Sequence, residues 1–275
     1  RLTPMLDVAA DWPWWLIVTI LLGLLILFSI VTNTRMQNIF WAISAGVLIT
    51  LVVSVSAYAI AVTIGLVVGL GRVAKNRVIF NLAAFYVEIV RGVPILVLLL
   101  YIAFVGVPAM VAGINAVGDW LVGLGLGFIG YGLTNFSTRN VDFVLRVVIG
   151  LGVAYGAFEA EIFRAGIQSV EKGQMEAARA LGMTYYQAMR HVILPQAVRR
   201  ILPVLGNDFV SMVKDSSLVS VLGVADVTQL AKLYASSTFL FFQTYSMLAF
   251  IYLVLTILLT RVVRAIEGRL SLFRQ

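Results

Sequence analysis

Apolar residues run along this chain in long stretches broken by short polar segments, without the alternation that marks strands. The first stretch, Trp14 to Val31, holds no charge and ends at Thr32-Asn33-Thr34-Arg35. The second, Ile43 to Leu70, closes on the basic turn Gly71-Arg72-Val73-Ala74-Lys75-Asn76-Arg77. The run from Val78 to Gly113 is too long for one crossing. Arg91-Gly92-Val93-Pro94 divides it, since proline removes a backbone donor and disfavours helix at the residue before it. An interfacial piece over Val78 to Val90 and a third crossing from Pro94 follow. Further crossings are predicted over Phe143 to Ile167, Ile201 to Leu222 and Thr244 to Ile266. A helix of about 20 apolar residues covers the hydrocarbon core, and such runs satisfy every backbone polar group internally. The expectation is an all-α integral membrane protein with about six transmembrane helices.

The pattern is weakest over 107–142, where Gly118 to Gly130 is apolar but glycine-rich and short for a crossing. An extra crossing there would put later loops on the wrong side, so this stretch is expected outside, as an interfacial or re-entrant segment. The first span reads as an uncleaved helix with an aromatic anchor at Trp12, Trp14 and Trp15. Gly65 with Gly69, and Gly152 with Gly156, have the spacing that lets two helices approach closely.

Composition agrees: of 275 residues 61% are hydrophobic and only 12% charged, more apolar surface than a soluble domain can hide. The absence of cysteine excludes disulfides, thiol nucleophiles and cysteine metal sites, and the lone His191 cannot build a histidine cluster. No Gly-x-x-x-x-Gly-Lys-Ser/Thr loop is present, so the chain has no phosphate loop of its own for ATP.

One polar, helix-rich island lies between apolar stretches: Gly173-Gln174-Met175-Glu176-Ala177-Ala178-Arg179-Ala180-Leu181-Gly182, then Thr184-Tyr185-Tyr186-Gln187 and His191-Val192-Ile193-Leu194-Pro195. Gln174 to Leu181 suits a short helix ended by Gly182 in the left-handed conformation. Thr184 and Gln187 form a capping box for a second helix, which Pro195 follows. Two short helices at an angle, with small alanines and an exposed carboxylate, make a plug for a groove on another protein. With this loop cytoplasmic, fifteen basic residues fall inside: Arg1, Arg72, Lys75, Arg77, Arg91, Arg164, Lys172, Arg179, Arg190, Arg199, Arg200, Arg261, Arg264, Arg269 and Arg274. Only Arg35, Arg139, Arg146 and Lys232 fall outside, and Lys214 lies within a span. That asymmetry obeys the positive-inside rule and accounts for the net charge of +7 without nucleic acid.

The island resembles the cytoplasmic Glu-Ala-Ala loop of permease subunits of binding-protein-dependent ABC importers, with Val192 where the family usually has isoleucine. The flanking words resemble the polar amino acid subfamily: Arg91-Gly92-Val93-Pro94-Ile95-Leu96, Glu161-Ile162-Phe163-Arg164-Ala165-Gly166-Ile167, Leu194-Pro195-Gln196-Ala197 and Lys214-Asp215-Ser216-Ser217-Leu218. The resemblance implies the type I importer permease fold, an extra N-terminal helix over 1–42 and a permease domain over 43–275 with its coupling loop over 168–200. It also implies a second permease subunit, identical or related, two ABC ATPases that bind ATP and magnesium, and an extracytoplasmic binding protein delivering amino acids. The chain would be a non-catalytic, multi-pass subunit of a prokaryotic inner membrane with both termini cytoplasmic. Glu176, Ala177, Ala178, Gly182, Leu194 and Pro195 would couple it to the ATPases.

An amino acid needs acceptors for its ammonium and donors for its carboxylate. Glu159 and Glu161 are candidate acceptors, but two residues apart on a helix they point about 200 degrees apart and cannot share one cavity. Glu161 is preferred because it belongs to the matched words. Asn207, Ser211 and Lys214 recur at helical spacing, with Asp208 and Asp215 one position round. Intramembrane charges face a bundle interior or a wet cavity, so Lys214 meets either the substrate carboxylate or a nearby aspartate. Glu88 and Arg91 are spaced to pair, and Arg164 to reach headgroups. The rivals are an ion-coupled secondary carrier, which commonly shows internal repeats that this sequence lacks, and a channel, which needs a selectivity constriction.

Overall fold

The computed structural model describes residues 14–271, which are about 88% helical with no strand among them. Trp12, Arg1 and Arg274 lie outside the described residues, as do the side chains of Trp15 and Arg269. The helices are α1 Trp14–Thr32, α2 Thr34–Ser44, α3 Val47–Arg72 and α4 Arg77–Gly92. Then come α5 Ile95–Gly123, α6 Gly127–Thr134, α7 Phe143–Gln168 and α8 Lys172–Ala180. The chain closes with α9 Tyr185–Leu222, α10 Val227–Thr238 and α11 Phe241–Ser271. Among the described residues four helical stretches are long and apolar enough to cross a membrane: α2 with α3, α5, α7 and α11. The α9–α10 pair, bent by 50°, makes a fifth, and α1 adds a shorter apolar helix.

The parallel pair α3 and α7 forms the centre, and its glycines explain why. A Cβ on Gly69 would lie 2.7 Å from the Phe163 Cβ, and one on Gly152 2.7 Å from Ile60 Cγ2. One on Gly156 would meet both Ile64 and the Tyr86 hydroxyl, at 2.8 and 2.9 Å. The two small-residue spacings read from the sequence therefore sit in one helix pair. Around it, Val53, Ala57 and Ala61 of α3 pack with Leu99 of α5, Leu151 and Tyr155 of α7 and Met212 of α9. A second core joins Ile39 and Ile43 of α2 to Ala231 of α10 and Met247 of α11. Between α9 and α10, Gly223 takes φ 75° and Asp226 caps α10, its Oδ1 accepting from the Gln229 amide at 2.8 Å.

Two predicted boundaries move. The third crossing does not stop near Gly113 but runs unbroken to Gly123, and Pro195 does not follow the second loop helix but lies inside α9. The same device works in both places. A five-residue π-helical turn, Ile102–Gly106 or Met189–Ile193, ends just before Pro108 or Pro195. Proline inside an α-helix leaves one carbonyl without its donor and clashes with it. The wider π turn absorbs that misfit, so the helix continues through each proline. The glycine-rich stretch then divides: its first part completes α5, and its second, α6, folds back on α5 through the turn at Gly125, whose φ is 81°.

Candidate functional site

The polar island folds into α8 and the start of α9. Its Schellman motif has the Met183 amide donating to the Ala178 carbonyl at 3.1 Å and the Gly182 amide to Arg179 at 3.0 Å. Gly182 sits at φ 84°, the left-handed region that favours glycine. The Thr184 and Gln187 capping box is formed in both directions, at 2.8 and 3.3 Å. Ala178 and Ile193 are buried, and Met175 packs against the cluster of Phe163, Ile167, Ala197 and Ile201. Gln196 donates to Gln174 across the two helices at 3.2 Å, and Arg200 bonds both the Ser169 carbonyl and its hydroxyl. The loop is thus fastened to the ends of α7 and α9. What it shows outward is Glu176, Ala177, Gly182, Pro195 and, unexpected from sequence, Leu181 with 81% of its surface exposed; Leu194 is half-buried. His191 is exposed, its Nδ1 donating to the Gln187 carbonyl at 3.0 Å.

Above this element lies a charged cleft of about 700 Å³, lined by Arg91, Phe158, Glu161, Arg164, Arg200 and Asp208. Glu161 is not a free acceptor. Oε2 receives Arg164 Nε at 2.7 Å and Oε1 receives Arg72 Nη2 at 3.1 Å, so its carboxylate ties α3 to α7. Both guanidiniums come from the loop-side ends of their helices, where the inner surface was expected. Glu88 approaches Arg72 at 3.9 Å instead of pairing with Arg91, whose guanidinium stacks on Phe158 at 5.4 Å. Arg164 pairs within the protein and does not turn away to headgroups.

Helix α9 separates its polar residues onto two faces. Asn207 and Lys214 are exposed and Ser211 half-buried, forming an open stripe. Among the described residues Lys214 forms no ion pair, so the aspartates one position round do not claim it. Asp208 and Asp215 turn inward: Asp215 Oδ2 accepts from the Tyr155 hydroxyl at 2.7 Å. Glu159 is fully buried on α7, beside Asp208 and Tyr58, and neither of its oxygens has a hydrogen-bond donor among the described residues. The Tyr58 hydroxyl donates to the Leu205 carbonyl at 2.6 Å. The structure therefore unites Glu159, Asp208 and Asp215 behind the stripe, and Asp208 also borders the cleft that holds Glu161. Sequence reasoning missed Tyr58 and Tyr155, because a tyrosine in an apolar run carries no signal until its partner is known.

Residues 61–272 match the family described as the inner membrane component of binding-protein-dependent transport systems. The chain belongs to that family. It is a membrane protein and a permease subunit of an ABC importer, which displaces the carrier and the channel. A probable glutamine ABC transporter permease, GlnM of Bacillus subtilis, is 39% identical over 81% of this chain and 90% of its own length. The glutamine transport system permease GlnP of Escherichia coli K12 is 31% identical over 82% and 92%. A solved structure described as an amino acid ABC transporter with histidines superposes with a TM-score of 0.67 at 35% identity, covering 87% of this chain and 97% of that one. The permease matches the methionine transporter MetNI in fold, with a TM-score of 0.58 at 20% identity over 84% and 94%.

Proposed function

We propose that this permease carries an amino acid inward, paired with a second permease subunit above two ATPases and fed by an extracytoplasmic binding protein. The observation that carries the reading is α8: a family loop, locked by the Gly182 turn and the Ser169–Arg200 tie, that presents Glu176 and Leu181 while its buried side is continuous with two spans. A push on such an element moves α7 and α9 as a rigid body. ATP and magnesium are held by the partners, and this chain acts as a non-catalytic subunit of the inner membrane. The loop side is cytoplasmic, a sidedness supported by the gathering of Arg91, Arg164 and Arg200 around one cleft, with Arg72 bound to its Glu161.

The open stripe of Asn207, Ser211 and Lys214 lines the path, with Lys214 meeting the substrate carboxylate. Glu159 and Asp215 form the acidic wall behind it, and access to Glu159 requires α7 and α9 to part. Glu161 acts through its two arginines, as a tie near the inner mouth. The residues over 107–142 form an outer segment of the permease domain.

The test is ATP hydrolysis in liposomes holding the permease, its candidate ATPase and its binding protein, with amino acids added singly. Hydrolysis stimulated by substrate in the native transporter and lost in Glu176→Lys, with the ATPase still copurifying, is the expected result. Uptake with no associated ATPase would defeat the reading.

A further inference from the structure

The hairpin of α5 and α6 has an outward face that none of the described residues covers. Internally it is tightly built. A Cβ on Gly118 would lie 2.7 Å from the Thr134 amide nitrogen, and one on Gly130 2.8 Å from the Gly118 carbonyl. The Leu126 and Gly125 amides close the turn on the Leu121 and Val122 carbonyls, each at 3.0 Å. Arg146 fixes the connection to α7. It donates to the carbonyls of Thr138 at 2.8 Å and Val141 at 2.9 Å, and to that of Ala103 in the π turn at 3.3 Å. The face is consequently a fixed surface. It shows Trp120, Leu124, Phe128 and Tyr131, of which Phe128 is 85% exposed and Trp120 64%.

Between Val107 and Thr138 Asp119 is the only charged residue. A receptor for a soluble protein carries a polar, hydrogen-bonding rim, and the exposed carboxylate of Asp119 beside Trp120 is the single charge this hairpin offers to steer such a partner. Amphipathic and aromatic rings on a surface with so little charge are what the headgroup region takes up. Continuity points the same way. With 29 residues α5 is about 44 Å long at 1.5 Å per residue, against a hydrocarbon core of about 30 Å. Its last turns, which carry Trp120, reach headgroup depth. Its exposed Val97, Phe104, Met110 and Val117 form an apolar flank leading into the hairpin.

We propose that the α5–α6 hairpin is a membrane-interface anchor, its aromatic face lying in lipid at headgroup level and holding the connection to α7 at a fixed depth. The native chain has no cysteine, so Phe128→Cys offers a single labelling position, and Ser137→Cys in the exposed loop beyond gives a reference. Each variant, assembled with its ATPase in phosphatidylcholine–phosphatidylglycerol vesicles, is labelled with a nitroxide and relaxed by oxygen or by a water-soluble nickel chelate. The oxygen-to-nickel ratio is expected to be several-fold higher at 128 than at 137, and unchanged when the binding protein is added. Nickel-dominated relaxation at 128 would place the face in water, and screening from both reagents would place it against protein; either overturns the anchor. A label protected only after the binding protein arrives identifies a receptor and also overturns it. Quenching by brominated lipid of a permease in which Trp12, Trp14, Trp15 and Trp41 are replaced by Phe, leaving Trp120 as its one tryptophan, tests the same depth without a label at Phe128: quenching is expected, and its absence overturns the anchor.

Discussion

Gly156 sets how near α7 comes to α3 and α4. Its missing side chain leaves room for Ile64 and for the Tyr86 hydroxyl, which donates to the Val153 carbonyl at 2.6 Å. Gly156→Leu would force these groups apart, at an overpacking cost of about 1–3 kcal/mol or more. Thermal unfolding of the solubilised transporter should show it as a lower midpoint. Lys214 and Glu161 separate transport from architecture in a similar way. Lys214→Met removes an exposed, unpaired charge from the stripe, so uptake should fall in proteoliposomes while copurification with the ATPase persists. Glu161→Gln weakens a tie to two arginines, so thermal stability should drop while apparent substrate affinity stays unchanged. A changed affinity in that variant would return Glu161 to the substrate path.

At the scale of elements, the coupling loop was the most legible part of the chain. Its capping box, its glycine stop and its alanine-rich turn are local signals, each depending on residues a few positions apart, and the structure forms all three. What local signals could not give is which face of α8 is covered. That depends on Met175 meeting Ile193 and Ala197 from another helix, and it leaves Leu181 outside. Leu181→Asp places a charge on this exposed apolar position without touching the core. It should weaken ATPase association, measured by copurification, at unchanged membrane abundance of the permease. Helix ends at proline were the least legible. Pro195 read as a boundary, and the third crossing was expected to stop near Gly113, because the π turns that precede Pro195 and Pro108 have no sequence signature of their own.

For the molecule as a whole, an importer driven by partner ATPases should move no substrate when ATP is withheld inside the vesicle. Uptake assays with and without trapped ATP check this, and equal uptake in both would favour ion coupling. The crossing helices and the coupling loop were determined by the sequence alone, since both rest on local physics: apolar runs must leave water, and capping residues act within a turn. The tertiary structure decided the rest. It set Gly65 against Glu159 and Gly69 against Phe163, turned Asp208 and Asp215 inward while leaving Lys214 open, and gave Glu161 to Arg72, 89 residues away in sequence. Such choices depend on which groups packing brings together, and a charged side chain in a low-dielectric interior takes its role from the partner it finds there.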